Sequence, residues 1–342
     1  MNSNVIKFVA GGGKTTYSVN YLNNNPRGLY LAFTNSVIDE IGNKGYMAKT
    51  IDSLFSSFII PKLCALVPII NSSSIITFVD SSNLHKDLLN VSNIRIKPDG
   101  KIFNKNSFTG VDVNLENDNL LSRSYFPNKR AISYIFSQNE LRLTHLLRED
   151  LSNYLIKSFP KQIISLLENR FSYIIIDEAQ DLHGYREEFA KLIYDSNIQL
   201  IILGDDNQNI NNGGEWFESL VAGEDSNNKS YRCPEDNCRW IRENLNIQIF
   251  GNSNKGGIIK KKYEDILELD DSYKVLLYAA KQGKKNMEII NNWKGIKYTI
   301  KSAKGMTIDR DIVVIGKQMN PKLIYTSFTR TTKNVYTTID DE

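Results

Sequence analysis

The sequence predicts an α/β protein: parallel sheets wrapped by helices, in two units, the first carrying an insertion. Three observations predict it. Short apolar runs recur along the chain, each ending in polar residues and followed by a helical pattern, which is the strand–loop–helix rhythm of a parallel sheet. One run, Val5 to Ala10, leads into Gly11-Gly12-Gly13-Lys14-Thr15-Thr16. Another, Tyr173 to Ile176, ends on Asp177-Glu178.

The first run, its glycines and the helical pattern from Tyr17 to Leu22 have the order of a phosphate-binding P-loop. Glycines let the backbone turn tightly and bring N–H groups up to a polyphosphate, and the new helix points its positive end at the anion. Ala10, Gly11, Gly12, Gly13, Lys14, Thr15 and Thr16 form the expected cradle, with Lys14 on the β- and γ-phosphates and the Thr15 hydroxyl on Mg²⁺. Phe8 stands where the usual loop has a glycine.

Past the turn at Pro26-Arg27-Gly28, Leu29 to Phe33 reads as a buried strand, and Thr34-Asn35-Ser36 as the cap of a helix from Val37 to Ile41. Lys49 to Phe55 repeats the form with a short strand, a hydroxyl and a helix. Residues 56–171 break the rhythm: a Gly/Asn/Asp-rich stretch spans Lys97 to Asn119, and helical patterns fall at Ala131 to Ser137 and Glu140 to Leu167. The rhythm resumes at Tyr173. Acids at the carboxyl end of a buried strand lie where open α/β sheets place ligands, so Asp177 suits Mg²⁺ and Glu178 the polarisation of an attacking water. Leu200 to Leu203 runs into Gly204-Asp205-Asp206-Asn207-Gln208, and Gln208 can contact a γ-phosphate or its water. Further strands are expected at Tyr273 to Tyr278, Lys297 to Ile300 and Asp311 to Ile315, and the segment Leu323 to Thr329 ends on Arg330.

Composition sets the class. The chain has 342 residues, 41% apolar and 24% charged, the profile of a globular protein with room for two or three domains. The net charge of +3 divides into +7 over Ser226 to Glu342 and −4 over the remainder, so the C-terminal third suits a polyanion. Three cysteines and three scattered histidines give neither a disulfide framework nor a transition-metal site, and a reducing cytosol is the expected compartment. The apolar stretch Leu54 to Ile70 is broken by Pro61, Lys62 and Pro68, which predicts a buried helix pair and no membrane partner.

Taken in order, eight blocks resemble the UvrD/Rep-like group of superfamily 1 helicases: residues 10–16, 31–35, 50–55, 175–181, 203–210, 230–232, 299–307 and 325–336. The resemblance implies two RecA-like domains with ATP and Mg²⁺ between them: 1–55 plus 172–225 as the ATP-binding domain 1A, 56–171 as a 1B-like accessory insertion, and 226–342 as domain 2A. It implies Glu178 as water activator and Gln180 and Gln208 near the γ-phosphate. Arg232 and Arg330 become arginine fingers, Tyr231 the residue stacked on the base, and Gly305 part of the nucleotide-binding set. Single-stranded DNA would lie on Phe33, Thr34, Asn35 and Thr50 of the first domain, with Trp216 stacking a base and Lys301 and Lys304 on phosphates. Single-stranded RNA stays open as the track, because backbone contacts do not specify the sugar.

The departures shape the expectation. Ten residues precede Gly11, so the family's adenine-reading glutamine segment is expected to be missing. Thr307 stands where UvrD-like proteins have a ribose-binding glutamate, a feature of the branch moving 5′ to 3′, whereas blocks 31–35 and 203–210 favour 3′ to 5′ movement. The short interval from Arg232 to Thr299 leaves little or no 2B domain, which suggests a compact translocase that needs a protein partner to unwind, in a bacterial, phage or viral replication or repair setting. The alternatives are a nucleic-acid-stimulated ATPase serving as sensor or loader subunit, and a P-loop switch or small-molecule kinase.

Overall fold

The computed structural model describes residues 3–24, 27–32, 35–66, 75–78, 94–99, 101–104, 113–114, 135, 140–210, 213–280, 283–316 and 319–338. By contacts the chain divides into two compact units: Met1–Ser3, Asn25–Ile176 and Leu182–Leu200 form one, and Asn4–Asn24, Asp177–Asp181 and Ile201–Glu342 form the other.

In the first unit the strand Gly28–Ala32 pairs in parallel with Ala48–Thr50 on one side and Tyr173–Ile176 on the other, in the register Tyr30↔Ala48 and Leu29↔Ile174. Strands Gly28–Ala32 and Tyr173–Ile176 are buried at every residue, which is why they read as unbroken apolar runs. The helix Asn35–Gly42 follows the first of these strands. Helices Ile51–Leu54 and Ile60–Leu66 are joined by a π-helical turn at Phe55–Ile59, with Pro61 tolerated in the first turn of the second. The expected helical stretch from Glu140 starts instead as a strand, Glu140–Leu143, parallel to Ile75–Phe78. Leu141 and Leu143 are buried and Arg142 between them is not, the alternation of a strand with one buried face. Helices His145–Ser158 and Pro160–Glu168 follow, the former capped by Thr144 Oγ1, which accepts the Leu147 N–H at 3.2 Å. Three antiparallel strands, Ile94–Ile96, Lys101–Asn104 and Val113–Asn114, lie within the Gly/Asn/Asp-rich stretch and just before it. Of the segment Ala131 to Ser137, all but Ile135 lies outside the described residues.

The second unit holds a five-stranded sheet whose spatial order is Ile258–Lys260, Val335–Thr337, Ile312–Ile315, Val275–Tyr278, Lys297–Thr299, with every pair parallel. Its core gathers Val275, Leu277, Ile312, Val314, Tyr325 and Phe328, together with Val9 and Ala10, which follow the strand Ser3–Lys7 and lead into the glycine loop. The helix Pro321–Phe328 is set by Asn320, whose Oδ1 accepts the Leu323 N–H at 2.8 Å, and by a proline at its first position. The strand Lys229–Pro234 pairs in parallel with Phe250–Asn252.

Candidate nucleotide site

The glycine loop is built by its neighbours. Phe8, the residue that departs from the usual loop, is buried: its N–H donates to the Gly204 carbonyl at 2.9 Å and its ring meets Tyr17 edge-on. Gly11 and Gly13 have φ of +70° and +93°, which L side chains rarely adopt. A Cβ on Gly11 would lie 2.5 Å from Arg232 Cβ and 2.9 Å from Ser230 Oγ, so the strand carrying Tyr231 and Arg232 rests directly on the loop. Ser230 Oγ donates to the Ala10 carbonyl at 2.7 Å, and the Tyr231 N–H donates to the Gly11 carbonyl at 2.9 Å. The exposed Tyr231 ring stands 3.7 Å from where a Gly13 Cβ would be.

The helix Lys14–Asn23 starts at Gly13 with no side-chain cap and no acid in its first turn. Its first N–H groups and positive dipole end are therefore left to an anion. Lys14 Nζ lies 3.1 Å from Glu178 Oε1. Burial disfavours the Lys14 ammonium, but Glu178, Asp177 and Asp205 outweigh it and hold its pKa above the usual value. Burial likewise opposes the Glu178 carboxylate, yet Lys14 and Lys304 pull its pKa down to about 2. Glu178 has φ +55°, a conformation uncommon outside glycine that clusters at functional sites. Asp177 Oδ1 accepts the Glu178 N–H at 2.7 Å and holds this turn.

The structure brings Gln180, Gln208, Arg232 and Arg330 to the same place. Gln180 Nε2 donates to Glu178 Oε2, and Gln180 Oε1 accepts the Asp205 N–H at 3.0 Å. Arg330 is buried; its Nε donates to the Thr326 carbonyl at 2.8 Å and its Nη2 to Gln208 Oε1 at 3.0 Å. Burial, reinforced by Arg232, lowers the Arg330 pKa to about 10. Arg232 is depressed by burial too, and its Nη1 reaches the Thr329 carbonyl at 3.4 Å. Among the described residues neither arginine pairs with a carboxylate; their partners are carbonyls, an amide and a hydroxyl, a setting in which a guanidinium can take an anion. A triphosphate with Mg²⁺ fits this donor set. Lys14 and the two arginines offer cationic donors, and Thr15 and Asp177 offer the oxygens a hard cation takes. Bound there, Mg²⁺ would neutralise charge on the phosphate oxygens.

Other expected residues fall elsewhere. Lys304, expected on a nucleic-acid phosphate, donates to both carboxylate oxygens of Asp181 at 2.7 and 2.6 Å and to the Gln208 carbonyl at 2.8 Å, which engages all three of its N–H donors. Lys301 and Gly305 are exposed, and Trp216 is half-buried in the helix Glu215–Ser219. Thr50 Oγ1 accepts the Ser53 N–H at 3.0 Å and caps Ile51–Leu54. Asn35 opens the helix Asn35–Gly42, while Phe33 and Thr34 lie outside the described residues. Two site residues escaped the sequence reading. Asp205 and Tyr325 both stood inside recognised blocks, but an acid among four polar residues and a tyrosine in an apolar run carry no distinguishing signal.

The fold and the site define a P-loop nucleotide-binding protein of α/β class. Two families then match: the UvrD/REP helicase N-terminal domain over residues 42–212, and the viral superfamily 1 RNA helicase core domain over residues 128–337. The chain belongs to the superfamily 1 helicases. Neither match includes the glycine loop, whose assignment stands on its geometry. Over 74 residues, 22% of this chain, it is 37% identical to the RecBCD enzyme subunit RecB of Borreliella burgdorferi, of which those residues are 6%. Among solved structures it is similar to the PRRSV helicase (11% identity, 98% of this chain and 52% of that one, TM-score 0.48). It is also similar to arterivirus nonstructural protein 10, a helicase, in complex with DNA (13% identity, 98% and 60%, TM-score 0.47). The chain thus spans little more than half of these structures. Among the described residues no helix is long and apolar enough to cross a membrane.

Proposed function

We propose that this chain is an ATP-driven motor that moves on single-stranded DNA in the 3′ to 5′ direction. The observation that carries the reading is the convergence of Lys14, Glu178, Gln208, Arg232 and Arg330 around one uncapped helix start. Lys14 is held by Glu178 until a phosphate takes the lysine, which frees the Glu178 carboxylate to polarise the attacking water. Arg232 and Arg330 stabilise charge as it develops on the γ-phosphoryl group. Tyr231 offers a face for the base, Gly305 belongs to the nucleotide-binding set, and Thr15 and Asp177 hold the metal.

In this reading ATP is hydrolysed between two RecA-like domains, 1–55 plus 172–225 and 226–342, with 56–171 as the accessory insertion. Closure completes the arginine contacts and so couples hydrolysis to movement. Phe33, Thr34, Asn35, Thr50, Trp216 and Lys301 form the track, and Lys304 joins it on leaving Asp181. A protein partner supports unwinding.

The test is ATP hydrolysis by the purified chain alone, with single-stranded DNA and with single-stranded RNA. Strong stimulation by DNA, lost in Glu178→Gln, supports the motor. Stimulation by RNA alone changes the track, and indifference to both polymers sinks the reading.

A further inference from the structure

Four hydrogen bonds join the two ends of the nucleotide site. Glu178 Oε2 accepts from Gln180 Nε2, and Gln180 Oε1 accepts the Asp205 N–H. Asp205 Oδ2 accepts from Gln208 Nε2 at 2.7 Å, and Gln208 Oε1 accepts from Arg330 Nη2 at 3.0 Å. Asp205 stands in the middle of the series and fixes both glutamines. Its backbone N–H can only donate, so Gln180 must turn Oε1 toward it and Nε2 toward Glu178. Its carboxylate can only accept, so Gln208 must turn Nε2 toward it and Oε1 toward Arg330.

Asp205 is itself held by Tyr325. The Tyr325 hydroxyl accepts the Ala10 N–H at 2.9 Å and donates to Asp205 Oδ2 at 2.9 Å. Tyr325 lies on the helix Pro321–Phe328, with Arg330 just beyond its end. One phenol thus touches the glycine loop, the acid that orients the glutamines and, through its own helix, the segment carrying the arginine. Asp205, Gln180, Gln208, Arg330 and Tyr325 are all buried, so water does not substitute for a missing partner.

We propose that Tyr325 and Asp205 are positioning residues: they set the amide orientations of Gln180 and Gln208, and through these the placement of Glu178 and Arg330 for hydrolysis. The proposal rests on the motor reading above and deepens it by two residues that touch no substrate atom.

The experiment removes the phenol oxygen alone. Tyr325→Phe is expected to lower kcat for DNA-stimulated ATP hydrolysis about tenfold, while KM for ATP and Kd for ADP stay within about twofold, because positioning acts on the transition state. In a background carrying both Gln180→Ala and Gln208→Ala the same change is expected to cost nothing further, since both of its routes are already cut. An equal loss in both backgrounds, an ADP affinity that falls in step with kcat, or no loss at all would overturn the proposal. Should Tyr325→Phe fail to fold, as judged by circular dichroism, Asp205→Asn takes its place under the same criteria. A second readout separates this idea from the motor reading: the affinity for ADP with aluminium fluoride and Mg²⁺ relative to ADP alone. If the unmodified chain ignores DNA, the motor reading fails. A selective loss of the aluminium-fluoride complex in Tyr325→Phe would still uphold the positioning role, and an unchanged ratio would end it.

Discussion

Two clusters of buried and half-buried charge, one in each unit, use the same residue types to opposite ends. In the first unit Asp52 accepts from Arg148 Nη2 at 2.5 Å, from Arg186 Nε at 2.7 Å and Nη2 at 2.9 Å, and from the Tyr185 hydroxyl. Arg186 also reaches Glu149 at 3.3 Å. Burial opposes the Asp52 charge, but Arg186, Tyr185 and Arg148 hold its pKa below the usual carboxylate value. In the second unit Arg232 and Arg330 have carbonyls, a hydroxyl and an amide for company, and no carboxylate among the described residues. Closed charge is architecture, because each group already has its counterion. Charge left open at a buried place marks a site, because only a ligand can complete it.

The comparison breaks most sharply on substitution of the cations. Lys14→Ala is expected to lower ATP turnover about a thousandfold, since a preorganised cation acts on the developing phosphoryl charge, and to lower the urea midpoint only modestly, because Lys304 still offsets the Glu178 charge. Arg330→Lys is expected to lower turnover about a hundredfold, because an ammonium cannot hold Thr326 and Gln208 and still present a second donor to phosphate. Restoration of normal turnover by lysine would place Arg330 with the architectural arginines. Asp52→Ala reverses the pattern: urea unfolding should show a loss of about 2 kcal/mol, with ADP affinity unchanged.

How much of this was legible in the sequence follows the same division. The open site was, because its parts are local: a glycine run before Lys14, acids at the end of the strand Tyr173–Ile176, an arginine within the block 325–336. The parallel sheets were legible for the same reason, each strand being a short apolar run between turns. The closed cluster was not. Asp52, Arg148 and Arg186 are far apart in the chain, and any one of them reads as an ordinary surface charge. Lys304 shows the limit from the other side: its block suggested an outward lysine, and only the fold reveals Asp181 opposite it. The strand Glu140–Leu143 was lost in a longer helical pattern because four residues give too few repeats to separate the two periods.

The smallest effect sharpens the comparison by acidity. Glu178 has its pKa lowered from an ordinary 4.5 to about 2, so its charge stabilises the fold fully above 4.5 and ceases to do so as the pH falls through 2. The thermal midpoint of the unmodified chain relative to Glu178→Gln should therefore be flat from about pH 8 to 6 and shift downward below about pH 5. A gap that varies near neutrality would mean that Glu178 titrates there and is not held by Lys14.

The contact between Gly11 and the strand bearing Arg232 has a consequence for inheritance. Two positions widely separated in the gene share one small volume: a bulkier residue at 11 would have to displace the strand at 230–232 and would still carry the strain of a positive φ. Gly257, around which a Cβ would meet nothing, carries no such bond to a distant codon. The room around the glycine loop at position 11 is thus set in part by a segment that lies far downstream of it.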